Sequence, residues 1–190
     1  MRPARDRRGR KLPTLWLFTD DSRTPDVDAA LAVLAASVGV VLRGKALAAF
    51  PTGRTVAVAG DVRRALALGA GLHLPSALLA RPPFGWRRCR FLTAAVHGVP
   101  DAVRARRLGV AIGFVSPVFP TGSHPGAPAL GPARAHRLAR HLPQAGFLGG
   151  IGATRSRHLG GVAWGAIDGL VGSAAAGPLR QPGPTAAGRT

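Results

Sequence analysis

The sequence predicts an α/β protein, a single (βα)8 TIM-type barrel with some shortened helices and disordered termini. Three observations carry this. About eight short apolar runs alternate with helical patterns along the chain. Those runs are near-continuously apolar, as in parallel strands buried on both faces. And 190 residues with 46% hydrophobic content allow one sizeable core but not two ordinary domains. The length sits at the low limit, since such barrels usually need at least about 200 residues. Some helices must therefore be trimmed, and the alternative is an open doubly wound sheet.

In order, residues 15–18 read as the first strand and 26–36 as a helix, capped by Thr24 or Asp26 with Pro25 near its first turn. Residues 38–42 and 55–59 are the second and third strands. Asp61 stands at the start of the helix 62–68. Residues 71–74 form a short strand, 91–96 another, and 100–107 a helix. Residues 110–115 are apolar again, before a long Gly/Pro loop at 116–131. A helix at 132–141, strands at 147–151 and 161–164, and a short helix holding Asp168 complete the pattern. Pro51 and Gly53 trim the second unit, and Pro82, Pro83 and Gly85 interrupt the fourth.

The ends read as tails. The expected organisation is a basic N-terminal arm at 1–12, a barrel domain at 13–172 and a disordered Ala/Gly/Pro-rich tail at 173–190. No run of about 20 apolar residues is present, so no membrane partner is expected. The basic start imitates a signal peptide, but its apolar part is short and closed by Asp20-Asp21. Cys89 is the sole cysteine, which excludes an intramolecular disulfide and a Cys-based zinc site and points to a reducing, cytoplasmic setting.

The formal net charge is +18, and its cations are almost all arginine; only Lys11 and Lys45 are lysine. The acids are all aspartate, so no glutamate can serve as acid or base. Such charge suits polyanions or anionic small molecules. Compositional bias toward Arg, Ala, Gly and Pro explains much of it, so nucleic acid is not expected as the main partner. An Arg-rich nucleic-acid-binding protein is kept as the lesser alternative.

In a βα barrel, the active residues lie at the C-terminal ends of the strands. That rule selects Asp20 and Asp21, Arg43 and Lys45, Gly60-Asp61, His73, His97, the 116–131 loop, Gly149–Gly152 and Gly165-Ala166. Arg43 and Lys45 could clamp phosphate oxygens; the plain alternative is a solvated pair. Gly149 and Gly150 offer bare backbone amides to an anion before a helix start. Thr121, Ser123 and His124 place hydroxyl and imidazole donors together in a proline-stiffened loop suited to a phosphate or diphosphate. His73 and His97 are pocket candidates or satisfied structural residues. His136, His141 and His158 read as surface positions, and Trp164 as packing.

At this loop the sequence resembles the thiamine-phosphate synthase family, which includes thiazole tautomerases. Ser116-Pro117-Val118-Phe119-Pro120-Thr121-Gly122-Ser123-His124, continued by Ala127-Pro128 and Gly131, is similar to the family's G-P-V-F-P-T-x-T-K-x-x-A-P-x-x-G. Leu42-Arg43-Gly44-Lys45 looks like its Q-L-R-E-K. Gly60-Asp61 sits at its N-D, Gly71–Leu74 at its G-V-H-L, and Ala95-Val96-His97 at its S-x-H. Gly149-Gly150-Ile151 sits at its G-G-I, and residues 161–164 at its G-V-A-V. The resemblance covers residues 15 to 170.

It implies an enzyme of thiamine biosynthesis, a transferase that condenses hydroxymethylpyrimidine diphosphate with thiazole phosphate and releases diphosphate. Its partners would be anionic phosphate and diphosphate esters. Carried over residue by residue, Arg43, Lys45, Ser123 and His124 would be catalytic, with Thr121 and Ser123 on the diphosphate. Gly149, Gly150, Gly165 and Ala166 would hold the thiazole phosphate, with His73 and His97 lining the site, and Asp61 would ligate Mg2+. Val41, Gly60, Ala95 and His124 depart from the family residues. Leu78 stands where the family has a second metal-binding aspartate, so any Mg2+ would rest on Asp61. Pro117 stands where tautomerases carry histidine. The second reading is a divergent member that binds thiazole or thiamine phosphates without synthase activity, as a carrier, regulator or isomerase.

Overall fold

The computed structural model describes residues 3–21, 24, 26–44, 53–121, 128–152, 159 and 163–166. Eight parallel strands close into a barrel in chain order. They are β1 (Leu15–Phe18), β2 (Gly39–Leu42), β3 (Val56–Ala59), β4 (Gly71–Leu74), β5 (Leu92–Val96), β6 (Ile112–Val115), β7 (Ala145–Phe147) and β8 (Ala163–Ala166). Closure is through β1 and β8, with Leu15 opposite Trp164 and Leu17 opposite Ala166. The barrel, and not the open sheet, is the fold.

Among the described residues four helices cover the outside: α1 (Val27–Ala32), α2 (Val62–Ala67), α3 (Val99–Arg107) and α4 (Gly131–Ala139). The fourth unit has two single 3-10 turns instead, Ser76–Leu78 and Trp86–Arg88, where prolines and Gly85 exclude a helix. Asp26, rather than Thr24, caps α1; its carboxylate accepts from the Ala29 amide at 2.8 Å, a contact worth about 1 kcal/mol. The helix is shorter than the predicted 26–36. Arg54 reaches across to the carbonyls of Leu31 at 2.7 Å and Ala35 at 2.6 Å, taking up acceptors that a longer helix would use.

Every position of β2, β4 and β6 is buried, which is why their sequences read as unbroken apolar runs. One set of side chains packs outward beneath the helices, among them Leu17, Val40, Leu72, Leu92 and Phe147. The other fills the interior: Trp16, Phe18, Val41, Ala57, Ile112, Phe114 and Ala163. Trp16 meets Phe114 edge-on at 6.0 Å, and Phe18 meets Phe114 at 4.9 Å. These rings need room that only glycine leaves. A Cβ at Gly39 would lie 2.6 Å from the Trp16 ring, and one at Gly146 would lie 2.6 Å from Phe114.

This packing explains two shifted boundaries. Residues 147–151 are predicted as the seventh strand, but β7 is Ala145–Phe147 and Leu148 onward belongs to the loop. The last strand, predicted at 161–164, runs Ala163–Ala166. In both, the glycine that receives an interior ring sits inside the strand.

The arm expected as a tail is folded over residues 3–12. Arg5 bridges Lys11 antiparallel, and the Leu12 amide donates to the Ala4 carbonyl at 2.8 Å. Leu12 joins the interior cluster with Trp16 and Phe91, closing the end of the barrel at which the strands begin. Asp6 is the anchor. Its carboxylate accepts from the Arg8 and Arg10 amides at 2.9 and 2.8 Å and from Arg90 Nε at 2.7 Å. Burial pushes that carboxyl up, but the Arg90 hydrogen bond, the two amides and the Arg90 charge outweigh it and hold the pKa below the usual value. The tail expected at 173–190 and the helix holding Asp168 lie outside the described residues, as does most of the second unit's connection, 45–52. Among the described residues no helix is long and apolar enough to cross a membrane. Cys89 is a buried free thiol.

Candidate functional site

The interior is packed up to Phe18, and in a βα barrel ligands bind above such a layer, among the loops that follow the strands. Phe18 ends β1, and its ring meets the edge of His73 at 5.4 Å and lies against Gly165, where a Cβ would fall 2.6 Å away. The Arg43 guanidinium stands over the same ring, 5.9 Å from its centroid. This group is fixed from below and beside. The Arg43 amide donates to Thr19 Oγ1 at 2.8 Å, and that hydroxyl donates to the Arg43 carbonyl at 3.1 Å. Arg43 Nε donates to the Thr19 carbonyl at 2.8 Å, and Nη2 pairs with Asp20 at 3.2 Å. About a third of the Arg43 side chain stays exposed. A guanidinium laid on an aromatic ring and partly open to solvent can bind an anion.

Across the mouth, the turn after β7 is built by close approach. Gly149 and Gly150 have φ of +96° and +63°. A Cβ on Gly149 would lie 2.8 Å from Pro117 Cα, and one on Gly150 would lie 2.5 Å from the Pro120 carbonyl oxygen. The Val118 and Phe119 amides donate to the Leu148 and Gly149 carbonyls at 3.0 and 3.1 Å. The glycine turn and the 117–120 segment therefore form one tight layer that leads directly into Thr121, which is half-buried. Leu148 lies beside Gly165, so Arg43, Phe18, Gly165 and the glycine turn share one rim.

His73 and His97 occupy different settings. His73 is buried among Phe18 and Phe114, with Nδ1 2.9 Å from Thr93 Oγ1. Burial, then the positive charge of Arg43 and the neighbouring His97, push its pKa down to about 3, so it is neutral at physiological pH. His97 is exposed, and its Nδ1 lies 2.8 Å from the Ser116 carbonyl. A carbonyl only accepts, so Nδ1 carries the proton and Nε2 is the basic nitrogen. Asp101 steadies this corner from the third position of α3. Its carboxylate accepts from the His97 amide at 3.0 Å and the Ser76 hydroxyl at 2.8 Å.

The protein donors for magnesium come down to Asp61 among the described residues. One Asp61 oxygen accepts from the Arg64 amide at 2.9 Å as the cap of α2. The position for a second carboxylate is Leu78, whose methyl lies 3.8 Å from where a Cβ on Gly60 would be, with Pro75 alongside at 4.0 Å. Among the described residues no group of three His, Cys, Asp or Glu side chains could hold a metal. Mg2+ asks for about six oxygens, one or two from carboxylates and the rest from water and substrate phosphates, so Asp61 could supply one protein ligand and Leu78 none.

Gly165 and Ala166 also differ from expectation. They are buried members of β8, not a turn beyond it; Gly165 receives the Phe18 ring, and Ala166 packs under the helices. Lys45, Ser123 and His124 lie outside the described residues. The structure thus brings Arg43, His73, His97, Thr121, Gly149 and Gly150 to one end. It adds Thr19, Asp20, Thr93 and Asp101, which sequence reading had not assigned these contacts.

No protein-family model matches the chain, and no curated protein of similar sequence is found. Solved structures do resemble it. Thiamine phosphate pyrophosphorylase from Pyrococcus furiosus aligns with a TM-score of 0.60 at 18% identity, over 84% of this chain and 91% of that one. KGPDC from Streptococcus mutans gives 0.56 at 11% identity, over 86% and 94%. A cube-shaped, porous cage designed by fusing symmetric oligomeric domains gives 0.53 at 15% identity, over 88% and 71%. At such identities the likeness establishes a shared barrel fold.

Proposed function

We propose that the chain is a thiamine-phosphate-synthase-like transferase acting on two phosphorylated substrates at the rim built around Arg43. The observation that carries this reading is the guanidinium fixed over Phe18 by Thr19 and Asp20, on the same rim as the Gly149–Gly150 turn. In the reaction, the bond between the pyrimidine methylene and the diphosphate oxygen breaks, and its electron pair leaves on the diphosphate. The thiazole nitrogen then forms the new carbon–nitrogen bond with its lone pair. Arg43 and Thr121 bind the diphosphate as charge develops on it, which is electrostatic stabilisation by groups already in place. Lys45, Ser123 and His124 follow Arg43 and Thr121 in sequence and would complete that shell. The Gly149–Gly150 turn holds the thiazole phosphate. Neutral His73 and Thr93 form the floor beneath the pyrimidine, and His97 lines the edge through Nε2. No step is assigned to a metal.

The apolar wall of Leu78 and Pro75 beside Asp61 favours the second reading, a protein that binds thiazole or thiamine phosphates without turnover. One experiment separates the two. The full chain is incubated with hydroxymethylpyrimidine diphosphate and thiazole phosphate, with and without magnesium, and thiamine phosphate is quantified by chromatography. The expected result is product formation that falls at least tenfold in Thr121→Ala, the order lost with one transition-state donor. Binding of thiamine phosphate without product would support the second reading. A folded sample that neither binds nor turns over would end both.

A further inference from the structure

We propose that the opposite end of the barrel is a binding face for single-stranded nucleic acid, made by the N-terminal hairpin and the turn that precedes β5. The described aspartates are sorted by rim. Asp20 and Asp21 follow β1, Asp26 and Asp28 open α1, Asp61 caps α2 and Asp101 opens α3. All of these lie at the end where strands finish and helices begin. The one described aspartate at the other end is Asp6, and it is buried, held by Arg90 and two backbone amides. That anchor spends the local acid inside the fold and leaves the cations outside.

Arg7, Arg8, Arg10 and Lys11 are exposed on the hairpin, and Arg87 and Arg88 are exposed on the turn. The two segments are joined, because the Arg7 amide donates to the Arg90 carbonyl at 3.1 Å and Arg90 pairs with Asp6. The six cations therefore sit on two segments bonded to each other through Arg90, not on a loose arm. Guanidinium groups match phosphate oxygens two at a time, so an arginine patch suits a phosphodiester backbone.

A second observation points to bases as well as phosphates. Phe84 is fully exposed, four residues before Arg88, in the run Arg81-Pro82-Pro83-Phe84-Gly85-Trp86-Arg87-Arg88. An exposed phenyl ring close in sequence to Arg81, Arg87 and Arg88 offers a stacking surface to an unpaired base. Arg87 is laid over the Trp86 ring at 4.6 Å, which holds a second flat, cationic surface beside it. A lipid surface fits less well. Interfacial binding needs a broad apolar face, and among the described residues the other exposed large apolar side chains, Val33 and Val99, sit at the end of α1 and the start of α3.

The test is fluorescence anisotropy of the full chain with a labelled oligouridylate of about twelve nucleotides, across a salt series. Binding is expected, and the triple variant Arg8→Ala/Arg10→Ala/Arg88→Ala should shift the slope of log affinity against log salt by about 2, given roughly 0.7 per neutralised phosphate of a single strand. Phe84→Ala should weaken binding about tenfold at unchanged slope. All four positions are exposed, and circular dichroism checks that each variant is folded. Arg63→Ala/Arg134→Ala, at the starts of α2 and α4, is the control for net charge. No binding to the oligouridylate, an equal loss in the control, or no loss in the triple variant and Phe84→Ala would overturn the proposal. Phe84-dependent binding to phosphatidylglycerol vesicles with Phe84-independent binding to RNA would do so too.

Discussion

Trp16→Ala is expected to remove about 3–5 kcal/mol of stability, the range for deleting a large buried aromatic. A domain of this kind has only about 5–15 kcal/mol in total, so the variant will be unfolded or close to it at 37 °C. The effect is large because the ring is wholly buried and touches both ends of the interior: Phe114 on one side, Phe91 on the other, and the close wall of Gly39. Its indole also donates to the Pro13 carbonyl at 2.8 Å, tying the hairpin to β1. Urea unfolding followed by circular dichroism measures the loss. A double-mutant cycle with Gly39→Ala gives the sharper result. Alone, Gly39→Ala pushes a methyl into the ring and should cost at least about 1–3 kcal/mol. With Trp16→Ala the added methyl enters the vacated space, so the combined loss should be well under the sum.

The second large effect is on acid stability, and it comes from His73. Its pKa is about 3 in the folded chain against an ordinary value near 6.5. The unfolded chain therefore binds a proton that the folded chain refuses between those values. Stability is full above pH 6.5 and falls as pH drops toward 3, by up to about 1.4 kcal/mol per pH unit. Between pH 6.5 and 4.5 the loss should approach roughly 2–3 kcal/mol. Asp6 acts in the same direction but lower, since a depressed carboxyl loses its contribution only below the ordinary aspartate range. Urea midpoints at pH 7 and pH 4.5 should thus differ strongly in the native chain and little in His73→Gln, which keeps a partner for Thr93 and carries no titrating proton. Equal pH dependence in the two would refute the assignment.

The barrel was legible in the sequence for a simple reason. Parallel strands covered on both faces leave unbroken apolar runs, as at Gly39–Leu42 and Ile112–Val115. The misplaced strands fail the same rule. The apolar run continues from Phe147 through Leu148 to Ile151 after β7 has ended, and the end of β8 carries Gly165, where the Phe18 ring enters. No local propensity reports a slot for a side chain fifteen or more residues away in sequence.

The hairpin was misread on its charge. What overrides that charge is Asp6 meeting Arg90 across 84 positions, with Leu12 buried beside Phe91. The candidate site was legible as a set of strand ends, because the fold dictates where such residues gather. Their pairing was not. Arg43 meets Thr19 and Asp20 because Phe18 registers with Val41, and Asp61 spends an oxygen on its own helix before any metal can claim it.

The most direct test of the functional account is calorimetric titration of thiamine phosphate into the full chain and into Arg43→Ala, with thermal unfolding as the check on folding. If the Arg43 rim is the phosphate-ester site, the native chain binds and the variant loses at least tenfold in affinity, the scale of a charged hydrogen bond, while remaining folded. Equal affinity in the two proteins would contradict it.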